Sequence, residues 1–237
     1  MRLHKHHGLG NDFLIRLDDD VDAALARAVC DRRLGVGADG LISVVGARWT
    51  LFNADGSRAE SSGNGLRCAA QAVARARALD ELDITFETDA GPRHVSLRGD
   101  VATVEMGAVR VARLGKTDAE VSTGNPHLVL RYRDPEDVEA ADLAELGTMH
   151  PALNVEVIAV AAPDELAFRV HERGAGITMA CGTGSVAAAA AAHAWGLVGT
   201  TVVVHNPGGD VTVELKDDEA LLTGQTVWIA DVEYPWP

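Results

Sequence analysis

The chain of 237 residues is long enough for one large domain or for two small domains with buried cores. Hydrophobic residues make up 47% of it and charged residues 24%, a composition typical of globular proteins. The net charge of -14 argues against nucleic acid or an anionic membrane surface as a partner, because both require clustered Lys and Arg. We therefore expect a folded protein that binds neither.

Targeting signals and cysteine usage together predict a cytoplasmic protein. The N-terminal sequence MRLHKHHGLGND lacks the apolar core of a signal peptide. The longest apolar run begins at Val186 and is too short and too rich in alanine to span a bilayer. The cysteines are widely spaced and odd in number, which fits a reducing compartment and excludes a disulfide framework: Cys30, Cys68 and Cys181.

The first predicted elements are a short strand, a Gly-rich turn at GLGND and a second strand at FLIRLD. DDDVDAALARAVCDRRLG predicts a helix, because Asp residues crowd its first turn and apolar residues recur at helical spacing. Strands at LISVV and WTLF come next. A helix of small residues from Gly65 to Leu79 follows, and then strands at ITFET, HVSLR and VATVEM.

From about Thr117 the same order of elements starts again. TGNPHLVLR matches GNDFLIRL, DPEDVEAADLAELG matches the acidic-started helix, and residues 50–76 align without a gap on residues 169–195. Two copies indicate two similar α/β halves rather than a solenoid. We predict halves at residues 1–115 and 116–224, with residues 225–237 as a candidate addition to the first. Each half is expected to be a curved, mostly antiparallel sheet wrapped round a central helix, with a ligand in the cleft between them.

The residue just before the Gly-x-Gly turn carries a hydroxyl in one copy and a thiol in the other. AESSGNGLRCAA, residues 59–70, has Ser62 where TMACGTGSVAAA, residues 178–189, has Cys181. Each turn starts a helix, and a helix N-terminus favours a carboxylate and is expected to lower the pKa of a thiol. A buried structural thiol is the alternative for Cys181. Two such protic side chains could take a proton from one face of a stereocentre and return one to the other.

Cofactor and metal chemistry are not expected. Pyridoxal phosphate needs a Schiff-base lysine, and none of Lys5, Lys116 and Lys216 lies in a recognisable cofactor motif. The cluster of His4, His6 and His7 lies at the N-terminus without a carboxylate in step, so no metal site is predicted.

Eight motifs in order make the whole chain resemble the diaminopimelate epimerases, which interconvert LL- and meso-diaminopimelate without a cofactor. They are HGLGNDF (7–13), RRLGVGADGLI (32–42), NADGS (53–57), SGNGLRC (62–68), GNPH (124–127), NVE (154–156), ERGAG (172–176) and ACGTG (180–184). The resemblance implies two pseudo-symmetric α/β halves closing over the substrate, a catalytic thiol from each half, and a role in lysine and peptidoglycan precursor biosynthesis. A homodimer is also expected.

Carried over by motif, the residues that contact the substrate would be Asn11, Asn53, Asn125, Asn154, Glu172 and Arg173. The α-carboxylate would lie at the helix starts Gly63–Asn64 and Gly182–Thr183, and the catalytic residues would be Cys181, Ser62, His127 and Glu172. The guanidinium of Arg173 can make two parallel hydrogen bonds to a distal carboxylate, and the carboxylate of Glu172 can pair with an ammonium group. The alternative for each Asn is turn chemistry, and for His127 a packed, hydrogen-bonded side chain.

Ser62 departs from the family pattern, which has a cysteine there. Cys68 does not replace it, since that residue lies further along the same helix and is predicted to be core. A thiol has a pKa of about 8.5, and the pKa of an alcohol lies far above it, close to that of water, so a serine hydroxyl is much harder to convert into a base.

Three readings of Ser62 stay open: an introduced Cys→Ser change, a natural enzyme in which a neighbour assists Ser62, or a chain that only binds its ligand. An epimerase or racemase of another amino acid on the same fold is a further alternative.

Overall fold

The computed structural model describes residues 1–217 and 219–235. The strands, in chain order, are β1 (Arg2–Gly8), β2 (Asn11–Leu17), β3 (Gly40–Val45), β4 (Arg48–Asn53), β5 (Arg58–Ala59), β6 (Glu81–Thr88), β7 (Gly91–Arg98), β8 (Val101–Ala108), β9 (Arg110–Leu114), β10 (Asp118–Ser122), β11 (Pro126–Arg131), β12 (Asn154–Ala162), β13 (Glu165–Glu172), β14 (Gly176–Thr178), β15 (Thr201–Asn206), β16 (Gly209–Lys216), β17 (Glu219–Gln225) and β18 (Val227–Glu233). The helices are α1 (Ala23–Cys30), α2 (Gly63–Ala76), α3 (Pro135–Ala140), α4 (Leu143–Met149) and α5 (Gly182–Ala194).

The chain divides into two compact units. The first contains residues 1–104 and the C-terminal segment from Gly224, and the second runs from Glu105 to Thr223. The predicted boundary after residue 115 lies in the turn between β9 and β10, whereas the units divide within β8. Residues 236 and 237 of the predicted segment 225–237 lie outside the described residues.

The first unit is built round α2. Its β1 pairs antiparallel with β2 and β18, β3 with β4 and β6 with β7, while β2 and β3 run parallel. α2 packs on β1, β2, β3, β6, β7 and β18, and every residue from Gly63 to Ala74 is buried. The helix can be enclosed in this way because most of its side chains are small.

The second unit repeats this arrangement round α5. β10 pairs antiparallel with β9 and β11, β12 with β13 and β15 with β16, while β11–β12 and β13–β15 are parallel. α5 contacts β9, β10, β11, β12, β13, β15 and β16, and its alanines up to Ala192 are buried. The predicted α/β class, with a mostly antiparallel sheet round one central helix in each half, is confirmed.

The acidic-started helix of the second half is not continuous as predicted. It breaks into α3 and α4, because Ala141 adopts an extended conformation with ψ of 132°. The next residue, Asp142, then caps α4 by accepting a hydrogen bond of 3.0 Å from the backbone N–H of Glu145. None of the helices described is long and apolar enough to cross a membrane.

The burial of α5 gives a test of the architecture. Ala188→Leu adds three carbons on the fully buried face of α5, so we expect it to lower the free energy of unfolding by about 1–3 kcal/mol. The exposed Ala194 at the end of the same helix is the matched control, and Ala194→Leu should stay within about 0.5 kcal/mol of the parent. Urea denaturation measures both, and equal effects of the two changes would contradict a central position for α5.

Candidate active site

Ser62 and Cys181 occupy the same place in the two units, as the N-cap residues of α2 and α5. Both have extended backbone, with φ and ψ of -152° and 119° for Ser62 and -129° and 116° for Cys181. Ser62 Oγ accepts a hydrogen bond of 3.1 Å from the N–H of Gly65, and Cys181 Sγ accepts one of 3.3 Å from the N–H of Gly184. Each protic atom is therefore held at a helix N-terminus by the helix itself.

The surroundings of the two caps differ in chemistry. A Cβ added at Gly65 would lie 3.1 Å from Ile42 Cδ1 and 3.2 Å from Trp49 Cζ2, which are apolar atoms. A Cβ added at Gly184 would lie 2.8 Å from Glu156 Oε1. The third residue of α5 thus lies against a carboxylate, and the third residue of α2 lies against hydrocarbon.

The thiol of Cys181 is held in its protonated form. Burial raises its pKa well above the ordinary value, and the charges of Glu172 and Glu156 raise it further. Hydrogen bonds from Thr183 and from the N–H of Gly184 favour the thiolate but do not outweigh these effects. The expectation that the helix N-terminus would lower this pKa is therefore wrong, because desolvation and two carboxylates oppose the helix.

Glu172 is the acidic neighbour with the larger effect on the thiol. It ends β13, and its Oε1 accepts a hydrogen bond of 2.5 Å from Thr178 Oγ1. Burial raises the pKa of Glu172, and contacts with Thr178 and Cys181 lower it only in part. A carboxyl with a raised pKa beside a thiol is suited to exchanging a proton with it.

His127 is locked by a buried carboxylate. Its Nδ1 donates to Glu156 Oε1 over 2.6 Å, since a carboxylate can only accept, and both side chains are fully buried. Its Nε2 lies 3.0 Å from Asn125 Oδ1 and 3.1 Å from Thr123 Oγ1. The packed, hydrogen-bonded alternative for His127 describes these contacts, and its catalytic role stays a prediction.

Sequence reasoning did not single out Glu156. Its signal was the NVE motif, in which Asn154 and Glu156 are two residues apart and so share one face of β12. A carboxylate buried on one face of a strand is costly unless it is paired and hydrogen-bonded, and His127 is the partner of Glu156.

Asn154 ties two predicted site segments together. Its Nδ2 donates to the carbonyl of Pro126 over 3.1 Å, and its Oδ1 accepts the backbone N–H of Arg173 at 3.0 Å. Arg173 is exposed, and among the described residues its backbone N–H is bonded whereas its guanidinium has no protein partner. The amide of Asn154 therefore fixes where Arg173 leaves β13, and its own contact with substrate stays a prediction.

In the first unit, the structure brings two of the predicted asparagines together. Asn64 Nδ2 donates to Asn11 Oδ1 over 3.1 Å, next to Gly63 at the start of α2. Asn53 lies apart at the end of β4, where its Nδ2 donates to Ser57 Oγ over 2.9 Å in an exposed turn. Asn53 thus makes a hydrogen bond within a turn, which was the alternative to a contact with the substrate.

The N-terminal histidines have separate environments. His4 Nδ1 lies 2.7 Å from Asp231 Oδ1, and His6 Nδ1 lies 2.8 Å from Gln71 Oε1. Burial lowers the pKa of His6 to about 4, so this ring is neutral at physiological pH. In the part of the chain that the structure describes, no three His, Cys, Asp or Glu side chains are grouped to hold a metal ion.

Solved structures with this architecture include a racemase and an epimerase. A probable proline racemase from Agrobacterium radiobacter K84, with bound carbonate, matches with a TM-score of 0.79 at 15% identity over 100% of this chain and 93% of that one. A hydroxyproline epimerase from Agrobacterium vitis, with bound trans-4-hydroxy-L-proline, matches with a TM-score of 0.73 at 18% identity over 98% and 91%. The likeness shows a fold shared with amino-acid racemases and epimerases.

Sequence comparison identifies the family. The diaminopimelate epimerase family model matches residues 3–112 and 120–229. The diaminopimelate epimerase of Thermobifida fusca is 39% identical over 98% of this chain and 97% of its own length, and that of Desulforudis audaxviator is 40% identical over 92% of each. The chain belongs to the diaminopimelate epimerase family, which is a family of isomerases.

The electrostatics of Cys181 predict how fast it is alkylated. In Glu172→Gln a carboxylate beside the thiol becomes neutral, so the pKa of Cys181 should fall and alkylation at mildly alkaline pH should speed up. Glu165→Gln, at the opposite end of β13, is the control and should leave the rate unchanged. Mass spectrometry of the Cys181 peptide gives the rates. A Glu172→Gln rate equal to that of the parent would show that this carboxylate does not control the thiol.

Proposed function

We propose that this chain epimerises LL-diaminopimelate to meso-diaminopimelate without a cofactor, in the formation of lysine and peptidoglycan precursors. The observation that carries the proposal is Cys181 at the start of α5, with its thiol beside the carboxylate of Glu172. Family membership supplies the substrate class. The proposal includes a homodimer in the cytoplasm.

The proposed reaction moves one proton off the α-carbon and another onto it. Glu172 takes the thiol proton of Cys181, and the resulting thiolate removes the α-hydrogen from one face of the substrate. The electron pair of the broken C–H bond remains on the α-carbon, next to the carboxylate that stabilises it. Ser62 donates its hydroxyl proton to the other face, and water reprotonates the alkoxide. Backbone N–H groups at the helix starts, Gly63–Asn64 and Gly182–Thr183, are proposed to bind carboxylate oxygens.

Ser62 makes the two directions of this reaction unequal. Its Oγ accepts the N–H of Gly65, and no titratable side chain among the described residues hydrogen-bonds to it. An alcohol that no base assists can donate a proton to a carbanion but is a poor acceptor, because alkoxide and thiolate differ by roughly 7 pKa units. Reaction begun by Cys181 should therefore be impaired less than reaction begun on the Ser62 side.

Isotope exchange tests the proposal. In D₂O, one diaminopimelate isomer should exchange its α-hydrogen with solvent faster than it inverts, and the other should exchange slowly, because only Cys181 is an effective base. Ser62→Cys should raise turnover by orders of magnitude, since each 1.36 kcal/mol recovered is about tenfold. Cys181→Ala should abolish exchange from the reactive isomer. NMR follows exchange, and chiral chromatography follows inversion.

The outcomes separate the alternatives. Exchange in Cys181→Ala at the parent rate would remove this thiol from the mechanism. Brisk turnover by the parent that Ser62→Cys does not improve would mean that a partner activates Ser62. Turnover of other amino acids in place of diaminopimelate would indicate a different racemase of this fold, and neither exchange nor inversion of any of them would indicate a binding protein.

Arg173 is proposed to bind the distal carboxylate of the substrate, because its exposed guanidinium has no partner in the described chain. Arg173→Met should raise KM for diaminopimelate by about tenfold or more, as expected for the loss of one charge-assisted hydrogen bond. Arg110→Met, at another exposed arginine of the same unit, is the control and should not change KM. Steady-state kinetics gives the comparison, and equal KM values for the two variants would place the distal carboxylate elsewhere.

A further inference from the structure

Arg67 is a fully buried arginine that takes no part in the proposed reaction. It lies on α2, one turn after Asn64, and its Nη2 donates to Asn64 Oδ1 over 2.8 Å. Its Nε and Nη1 have no hydrogen-bond partner in the described chain. Burial lowers the pKa of Arg67 to about 10, so the guanidinium stays charged at neutral pH. A role for this buried charge must therefore be sought in its hydrogen bond to Asn64.

The contact begins a chain of hydrogen bonds that runs through two amides. Asn64 Nδ2 donates to Asn11 Oδ1 over 3.1 Å, and Asn11 Nδ2 donates to Asp39 Oδ2 over 2.8 Å. Arginine can only donate and a carboxylate can only accept. The two ends therefore determine which way both amides face, an assignment that is otherwise ambiguous for asparagine.

The acceptor end is itself held in place. Asp39 Oδ1 accepts from Arg32 Nη2 at 2.8 Å, and Asp39 Oδ2 also accepts the backbone N–H of Asp12 at 3.1 Å. Arg32 Nη2 bonds Asp12 Oδ1 as well, at 2.7 Å. Asp39 thus cannot turn away from Asn11 without breaking other hydrogen bonds.

We infer that Arg67 is a positioning residue which, together with Asp39, fixes the side-chain amides of Asn64 and Asn11 for the substrate. The inference rests on the proposed function, in which both asparagines contact diaminopimelate. In the orientation observed, the second Nδ2 hydrogen of Asn11 has no protein partner within the described residues and can donate to an anionic oxygen. A flipped amide would present a lone pair there and would repel a carboxylate.

Arg67→Met tests the donor end of this chain. The side-chain amide resonances of Asn11 and Asn64 should shift, and KM should rise by about tenfold with kcat nearly unchanged, because the lost orientation weakens ground-state and transition-state binding alike. Arg67→Lys, which keeps a donor-only group, should recover much of the KM. Arg75→Met, at an exposed arginine two turns later on α2, controls for the charge of the helix and should change neither quantity.

Asp39→Asn tests the acceptor end if Arg67→Met does not fold. It replaces a group that only accepts with one that can also donate, so it should shift the same amide resonances and raise KM. Unchanged resonances and KM in the folded variants, or a fall in kcat alone, would overturn the inference. The resonances are read without substrate, so they still test it if the parent does not turn over diaminopimelate, a result that would contradict only the proposed function.

Discussion

The hydrogen bond from the N–H of Gly184 to Cys181 Sγ joins the fold of the second unit to its chemistry. The bond satisfies one of the backbone donors left open at the start of α5, and it also fixes the position of the Cys181 sulfur. Gly184 permits the arrangement because any Cβ there would collide with Glu156 Oε1 and crowd the sulfur. The requirements of the helix start and of the thiol therefore meet at one residue.

The internal repeat conserves backbone geometry more closely than it conserves chemistry. Both caps have the same extended conformation and the same bond to the third residue of the helix. Beside Gly65, however, the neighbours are Ile42 and Trp49, whereas the thiol of Cys181 lies near the carboxylates of Glu172 and Glu156. The hydroxyl of Ser62 and the thiol of Cys181 thus share a backbone position but differ in the acidic side chains that the structure places against them.

Much of the fold was readable from local patterns. Glycine turns, acidic helix starts and the repeat predicted the two halves and their central helices, because those signals lie within a few residues of each other. The break between α3 and α4 was missed, since Asp142 reads equally well inside an acidic helix or as the cap of a new one. Glu156 and Asp39 were missed for another reason. Their roles depend on partners 29 and 28 residues away, which only the parallel pairing of strands brings near.

The direction in which the pKa of Cys181 shifts from its ordinary value could not be predicted from the sequence either. A helix N-terminus can be recognised from its glycines, but the opposing effects of burial and of Glu172 appear only when β13 and α5 have packed. The motifs therefore located the thiol correctly at the helix start but predicted the wrong direction for the shift of its pKa.

The alanine surface of α5 has a consequence for rigidity. Alanine has no side-chain rotamers, so enclosing this helix costs almost no side-chain entropy, and its alanine face has no alternative side-chain arrangements with which to absorb a displacement. A displacement of α5 therefore moves the helix as a rigid body and carries with it the sulfur of Cys181 at its N-terminus. The position of the thiol is thereby set by the packing of methyl groups along the whole helix, at a distance from the sulfur itself.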